Sequence, residues 1–164
     1  TAKKRDTHEW QQECAGYHLF EDRENSLSNV KVTIDIWNNI KKYKKCIVFE
    51  SEKSVMKYES LYPDRNISVS ICGSSFSNQQ KKMLLNLGVE EIVLALDRQY
   101  EDEDTEEGRD WKNKIIKNLK GLKDYCKVSY IWDKDEDRLL DYKDSPIDKG
   151  RKVFETLLRN RMQI

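Results

Sequence analysis

Glu50 and Asp97 are the residues of this sequence best placed to do chemistry. Each closes an apolar run: Cys46-Ile47-Val48-Phe49 ends on Glu50, and Ile92-Val93-Leu94-Ala95-Leu96 ends on Asp97. A short apolar run bounded by polar residues reads as a strand buried on both faces, as in a parallel sheet. Open α/β sheets bind ligands beyond the C-terminal ends of such strands. With strands ordered 2-1-3-4, the first and third are neighbours, and their terminal carboxylates emerge side by side. Two anions that close are unfavourable unless a cation sits between them. Ligand sets made only of oxygen suit Mg²⁺ or Mn²⁺. More acids follow toward the same edge: Glu101 and Asp102 in the loop after Asp97, then Asp144 and Asp148. Such a set fits a metal site for phosphoryl-transfer chemistry. The plainer alternative is that, among 30 acids, some end strands by chance and an acidic loop is only a solvated one.

The elements that must position these acids follow in regular order from residue 46. The strand to Glu50 leads into a helix over about 52–61, with Val55, Met56 and Tyr62 as inward positions. Pro63-Asp64 makes a turn, and 67–71 is a second strand. Ser77 and Gln80 form an S-x-x-Q capping box that opens a helix carrying Met83, Leu84 and Leu87. Gly88 ends it at the position that needs a left-handed backbone. A third strand covers 91–96. The acidic loop DRQYEDEDTEEG and a helix over about 108–119 come next, then a fourth strand over 126–132. A polar, turn-rich stretch ends in an amphipathic helix bearing Val153, Phe154, Leu157 and Leu158. Strict alternation with short connections predicts an α/β fold: a mostly parallel four-stranded sheet with helices on both faces. Residues 1–42 read as a flanking segment, the end of a preceding subdomain, in which the alternation of Val30, Val32, Ile34 and Ile36 favours a strand.

Composition bounds the answer without choosing it. The chain has 164 residues, with 30 Lys+Arg balanced by 30 Asp+Glu, so net charge points to neither nucleic acid nor membrane. The 37% hydrophobic share supports one packed domain. Cys14, Cys46, Cys72 and Cys126 form no C-x-x-C pair, so they read as packing residues rather than a zinc site. No apolar run approaches the ~20 residues of a membrane span, and no signal peptide is visible. The expectation is a soluble cytoplasmic protein without a membrane partner. A first residue that is Thr rather than Met reads as an excised piece of a longer chain.

The stretch Ile47 to Met56 resembles the first motif of TOPRIM domains, and more closely that of DnaG-type bacteriophage primases. Cys72-Gly73-Ser74-Ser75 with Ser77 and Gln80 resembles that family's glycine turn and following helix. Leu94-Ala95-Leu96-Asp97 resembles the strand into its aspartate motif, and Lys143 to Lys149 its late lysine-aspartate segment. The resemblance covers roughly residues 43–164. It implies a TOPRIM-like domain with catalytic Glu50 and Asp97, and metal held by Glu50, Asp97, Asp144 and Asp148. It implies Mg²⁺ or Mn²⁺, ribonucleoside triphosphates and a single-stranded DNA template, with RNA primers made during phage DNA replication beside a replicative helicase. Lys53, Gly73, Lys143 and Lys149 are then the nucleotide- or nucleic-acid-binding candidates. The sequence departs from the family at Ser51, where Gly is frequent, and at Ser54, where an acid is frequent. In place of D-x-D it reads Asp97-Arg98-Gln99, and Gln99 supplies no charge.

Two further functions share these acids: a TOPRIM nuclease or strand-cleaving enzyme, and a non-catalytic TOPRIM binding module. The remaining residues do not separate them. Lys41, Lys42, Lys44 and Lys45 lie at the opposite edge from Glu50, as a solvated face or a phosphate patch. Trp10, Trp37, Trp111 and Trp132 lack the spacing of a stacking platform. His8 and His18 read as surface residues.

Overall fold

The structure, a computed structural model, describes the backbone of residues 27–164 and side chains from residue 34 onward. The readings of Trp10, Cys14, His8 and His18 lie outside the described residues. Helix α1 (Leu27–Tyr43) precedes strand β1 (Lys45–Phe49). Then come α2 (Glu52–Leu61), β2 (Ser68–Ser70), α3 (Asn78–Asn86), β3 (Glu91–Ala95), α4 (Glu106–Leu119), β4 (Lys127–Tyr130), α5 (Arg151–Arg159) and β5 (Met162–Gln163). The sheet order is β2-β1-β3-β4-β5, with the first four strands parallel and β5 antiparallel to β4.

This corrects the four-stranded expectation by one edge strand. Met162–Gln163 spans only two residues, too short to show a period, and its pairing with Ser129 and Tyr130 is a long-range event. A second correction concerns Val30 to Trp37, which lies inside α1 rather than in a strand. Alternation would have put Ile34 and Ile36 on one face, yet Ile34 is 52% exposed while Ile36 and Ile40 are buried. The i, i+4 pair of Ile36 and Ile40, with Trp37 against it, is the helical period that decides the segment.

β1 and β3 are central, and four of the five residues in each are buried. Their apolar runs need no alternation because helices cover both faces. Phe49 meets Tyr58 of α2 and Phe154 of α5, each at 6.0 Å between ring centroids. Successive strand residues point to opposite faces, so Glu50 turns away from that aromatic cluster and toward the face of α4. In α2 the inward residues are Ser54, Val55 and Tyr58. Met56 is 65% exposed, because one step along a helix rotates a side chain away from its neighbour's face.

The capping box of α3 is present in both directions. Ser77 Oγ accepts from the Gln80 N–H at 3.2 Å, and Gln80 Oε1 accepts from the Ser77 N–H at 2.9 Å. Gln80 Nε2 also donates to the Ile71 carbonyl at 3.3 Å, tying the helix start to the end of β2. Gly88 follows the helix with φ +77°. Replacing Ser77 with Ala should cost about 1 kcal/mol. Urea denaturation would show it as a lower midpoint with an unchanged slope.

Candidate active site at the C-terminal sheet edge

The register sets Phe49 beside Ala95, so Glu50 and Asp97 leave adjacent strand ends. Glu50 Oε2 and Asp97 Oδ1 are buried and without a hydrogen-bond partner among the described residues. Buried polar atoms are nearly always satisfied, so two orphaned oxygens on neighbouring acids are an observation that needs a cause. Burial raises the proton affinity of Glu50, with a backbone hydrogen bond from Asp97 and the Lys114 ammonium pulling it back. Asp97 is pushed up to about 7, first by burial and then by the charge of Glu50. A hydrogen bond from Ser145 opposes this, while Asp148 and Asp144 add to it. Asp97 thus feels Glu50, Asp144 and Asp148 at once.

The late loop carries Asp144 and Asp148 to this edge through a chain of hydroxyls. Ser51 Oγ lies 3.2 Å from Ser54 Oγ, Ser54 Oγ donates to Ser145 Oγ at 2.8 Å, and Ser145 reaches Asp97. Ser54 stands where the resemblance would place an acid, and it fastens the loop to α2 instead. Asp148 is ion-paired with Lys57 and accepts from the Ser145 N–H at 3.0 Å. Asp144 pairs with Lys149 at 3.1 Å and accepts from the Asp141 N–H at 2.9 Å. Lys149 also pairs with Asp141. Among the described residues, no three His, Cys, Asp or Glu side chains are grouped to hold one metal ion.

Lys53 is exposed at the start of α2, and its charge helps hold Asp148 ionised. Gly73 donates its N–H to the Glu50 carbonyl at 3.0 Å and has φ +142°, a backbone that other residues rarely adopt. Lys143 is exposed, with φ +68°, and its N–H donates to the Arg98 carbonyl at 2.7 Å. Glu101 turns to Arg138 at 2.9 Å, and Asp102 accepts from the Asp104 N–H at 2.8 Å. Neither acid is drawn to Glu50.

A third strand also ends near an acid, Asp133 after β4, but its charge is spent. Arg98 is 2% exposed. Its guanidinium donates to Asp133 Oδ2 and Asp135 Oδ1, both at 2.7 Å, and to the carbonyls of Tyr100 and Glu101. Asp133 further accepts from the Leu139 and Leu140 N–H groups. Tyr100 stacks on Trp132 at 4.3 Å, and Arg98 lies over the Tyr100 ring at 4.4 Å. The Arg98 N–H also holds the Asp144 carbonyl at 2.9 Å. Position 98 is therefore a buried post that joins the Asp97 loop to β4 and to the late loop. The sequence reading missed Arg98, Asp133, Ser145 and Lys114. Only Asp133, an acid just past an apolar run, left a visible signal.

No family model matches the chain. It is similar to the SPbeta prophage-derived uncharacterized protein YorJ of Bacillus subtilis (strain 168), with 40% identity over 134 residues. The match takes in 77% of this chain and 35% of YorJ, so the chain spans about a third of that relative. The Aquifex aeolicus primase, solved as its zinc-binding and RNA polymerase domains, superposes with a TM-score of 0.55 at 18% identity. That superposition covers 80% of this chain and 29% of the primase chain. The RNA polymerase domain of Mycobacterium tuberculosis primase DnaG superposes with a TM-score of 0.51 at 21% identity, over 78% of this chain and 39% of that one. The same domain in complex with double-stranded DNA gives 0.50 at 20% identity, over 78% and 38% of the two chains. The chain shares its fold with the RNA polymerase domains of bacterial primases.

Proposed function

We propose that this chain is the metal-dependent nucleotidyl-transfer core of a primase-like enzyme, joining ribonucleotides on a single-stranded DNA template during phage DNA replication. The observation that carries it is the pair of buried, unpartnered oxygens on Glu50 and Asp97. The primase fold and the prophage-derived relative support it. The donor chemistry fits Mg²⁺ or Mn²⁺, which take one or two carboxylates and complete their shell with water and substrate phosphates. Glu50 and Asp97 would hold the ion, with Asp144 and Asp148 available if their lysine partners yield. When bound, the ion supplies positive charge to the phosphates and the leaving pyrophosphate.

The chain's own residues do the rest. In the transfer, the 3′-hydroxyl oxygen bonds to the α-phosphorus as the bond to the β-phosphate oxygen breaks. Pyrophosphate leaves with that electron pair, and the hydroxyl proton passes to a base. Glu50, whose proton affinity is raised by burial, serves as ligand or as that base. Ser145 fixes the orientation of Asp97, and Arg98 braces the loop behind it. Lys53, Lys143 and Lys149 offer cations to substrate or template, and the Gly73 turn supports the Glu50 backbone. The experiment is incorporation of labelled ribonucleotides on single-stranded DNA, with and without Mg²⁺ or Mn²⁺. Incorporation that persists in both Glu50→Gln and Asp97→Asn overturns the reading.

A non-catalytic binding module has one observation in its favour: Asp144 and Asp148 already carry lysine partners. That reading expects Mn²⁺ to leave the melting temperature at pH 8 unchanged. The nucleotidyl-transfer reading expects it to rise, because a ligand of the native state stabilises it.

A further inference from the structure

Lys114 is a cation near Glu50 that no sequence motif marks. It projects from α4 and donates to Ser74 Oγ at 2.6 Å. Ser74 belongs to the Gly73 turn, whose N–H sits on the Glu50 carbonyl at 3.0 Å. The turn is fixed by Asn118, one helical turn beyond Lys114. Asn118 Nδ2 donates to the Ser74 carbonyl at 2.8 Å and its Oδ1 accepts from the Phe76 N–H at 3.0 Å. The Lys114 ammonium lies over the Trp111 ring, with Nζ 5.2 Å from its centroid, and its charge reaches the Glu50 carboxylate. Among the described residues Lys114 pairs with no carboxylate, unlike Lys57 and Lys149. Its partner is a neutral hydroxyl, which an anion can displace.

We propose that Lys114 and Ser74 form a polyphosphate subsite beside Glu50, which holds the outer phosphates of an incoming nucleoside triphosphate. The proposal rests on the nucleotidyl-transfer reading for the identity of the nucleotide, and not for the anion chemistry. Glu50 and Asp97 repel the outer phosphates of a polyanion, and Lys114, whose charge already reaches Glu50, offsets that repulsion. Lys114 is a point charge with three donors on a flexible stem. It can leave Ser74 for phosphate oxygens while Ser74 turns its hydroxyl to the same anion. Asn118 keeps the turn in place throughout, so the subsite is organised before the ligand arrives.

The test is titration calorimetry of the full chain with inorganic tripolyphosphate, paired with steady-state ribonucleotide incorporation. Lys114→Ala should weaken tripolyphosphate binding about tenfold or more, the scale of a lost charge-assisted hydrogen bond. Lys114→Arg should recover most of it, and Lys123→Ala, on an exposed loop position, should bind as the wild type does. In incorporation, Lys114→Ala should raise KM for the nucleotide far more than it lowers kcat. Incorporation that proceeds with an unchanged nucleotide KM in Lys114→Ala overturns the subsite and leaves the nucleotidyl-transfer reading standing. Tripolyphosphate binding that depends on Lys114 in a chain that incorporates no nucleotide upholds the subsite and removes that reading. Equal binding by the wild type, Lys114→Ala and Lys114→Arg overturns the subsite outright.

Discussion

Asp97→Asn is expected to lower nucleotide incorporation about a hundred- to a thousand-fold, on the scale of losing one preorganised electrostatic contact, while making the protein more stable. The two effects share a cause. The folded chain holds the Asp97 proton up to about 7, above the ordinary 3.9 or so of an aspartate. Between those values the folded state binds more protons than the unfolded one, so stability falls as pH rises through the window. Below about pH 4 both states are protonated and Asp97 costs nothing; above pH 7 the whole penalty is present. Asparagine removes the penalty. A fully buried group with such a shift would gain about 4 kcal/mol, but the carboxyl is partly in contact with water. A gain of about 1–2 kcal/mol at pH 8 is the expectation after that screening. Urea denaturation at pH 8 and pH 3.5 checks it: the variant should be the more stable at pH 8 and match the wild type at pH 3.5.

Arg98→Ala is expected to act in the opposite sense and harder, costing about 3–5 kcal/mol. Its removal leaves Asp133, itself buried, as an uncompensated charge and strips the Tyr100 and Glu101 carbonyls of a donor. Arg98→Lys should recover only part of the loss, because an ammonium cannot span Asp133 and Asp135 as the planar guanidinium does. Urea denaturation midpoints of the wild type, Arg98→Ala and Arg98→Lys at neutral pH measure this directly. A cost below about 1 kcal/mol, typical of exposed ion pairs, would show that Arg98 does not brace the loop.

The parts of this fold legible in the sequence are those encoded locally. The central parallel strands are continuous apolar runs, so the first and third strands and the acids closing them could be read directly, while the second and fourth, which carry Ser68, Ser70 and Ser129, were placed by the turns and helices around them. Ser77 with Gln80, and Gly88, announce the ends of α3 in residues a few positions apart. α1 failed because Val30, Val32, Ile34 and Ile36 satisfy a period of two, and the period of 3.6 that wins depends on burial of Ile36 and Ile40 against the sheet. β5 is two residues long and exists through its partner. At the site, Glu50 and Asp97 were visible as types at strand ends, but their neighbours' roles were not. Arg98 in sequence is an interruption of an acidic motif. Its partners Asp133 and Asp135 stand 35 and 37 positions away, so nothing local shows that its charge is spent inward. Ser54 likewise is a missing acid in sequence and a hydroxyl link to Ser145, 91 positions away, in space.

Glu50 and Asp97 are proposed to hold a divalent cation together, where a phosphate can meet it. Titration of the full chain with Mn²⁺ at pH 8, where Asp97 is ionised, tests it most directly. The prediction is saturable binding that is lost in both Glu50→Gln and Asp97→Asn and kept in Asp141→Asn, whose carboxylate is exposed and paired with Lys149. Absence of saturable binding in the wild type, or binding that survives in either site variant, would contradict it.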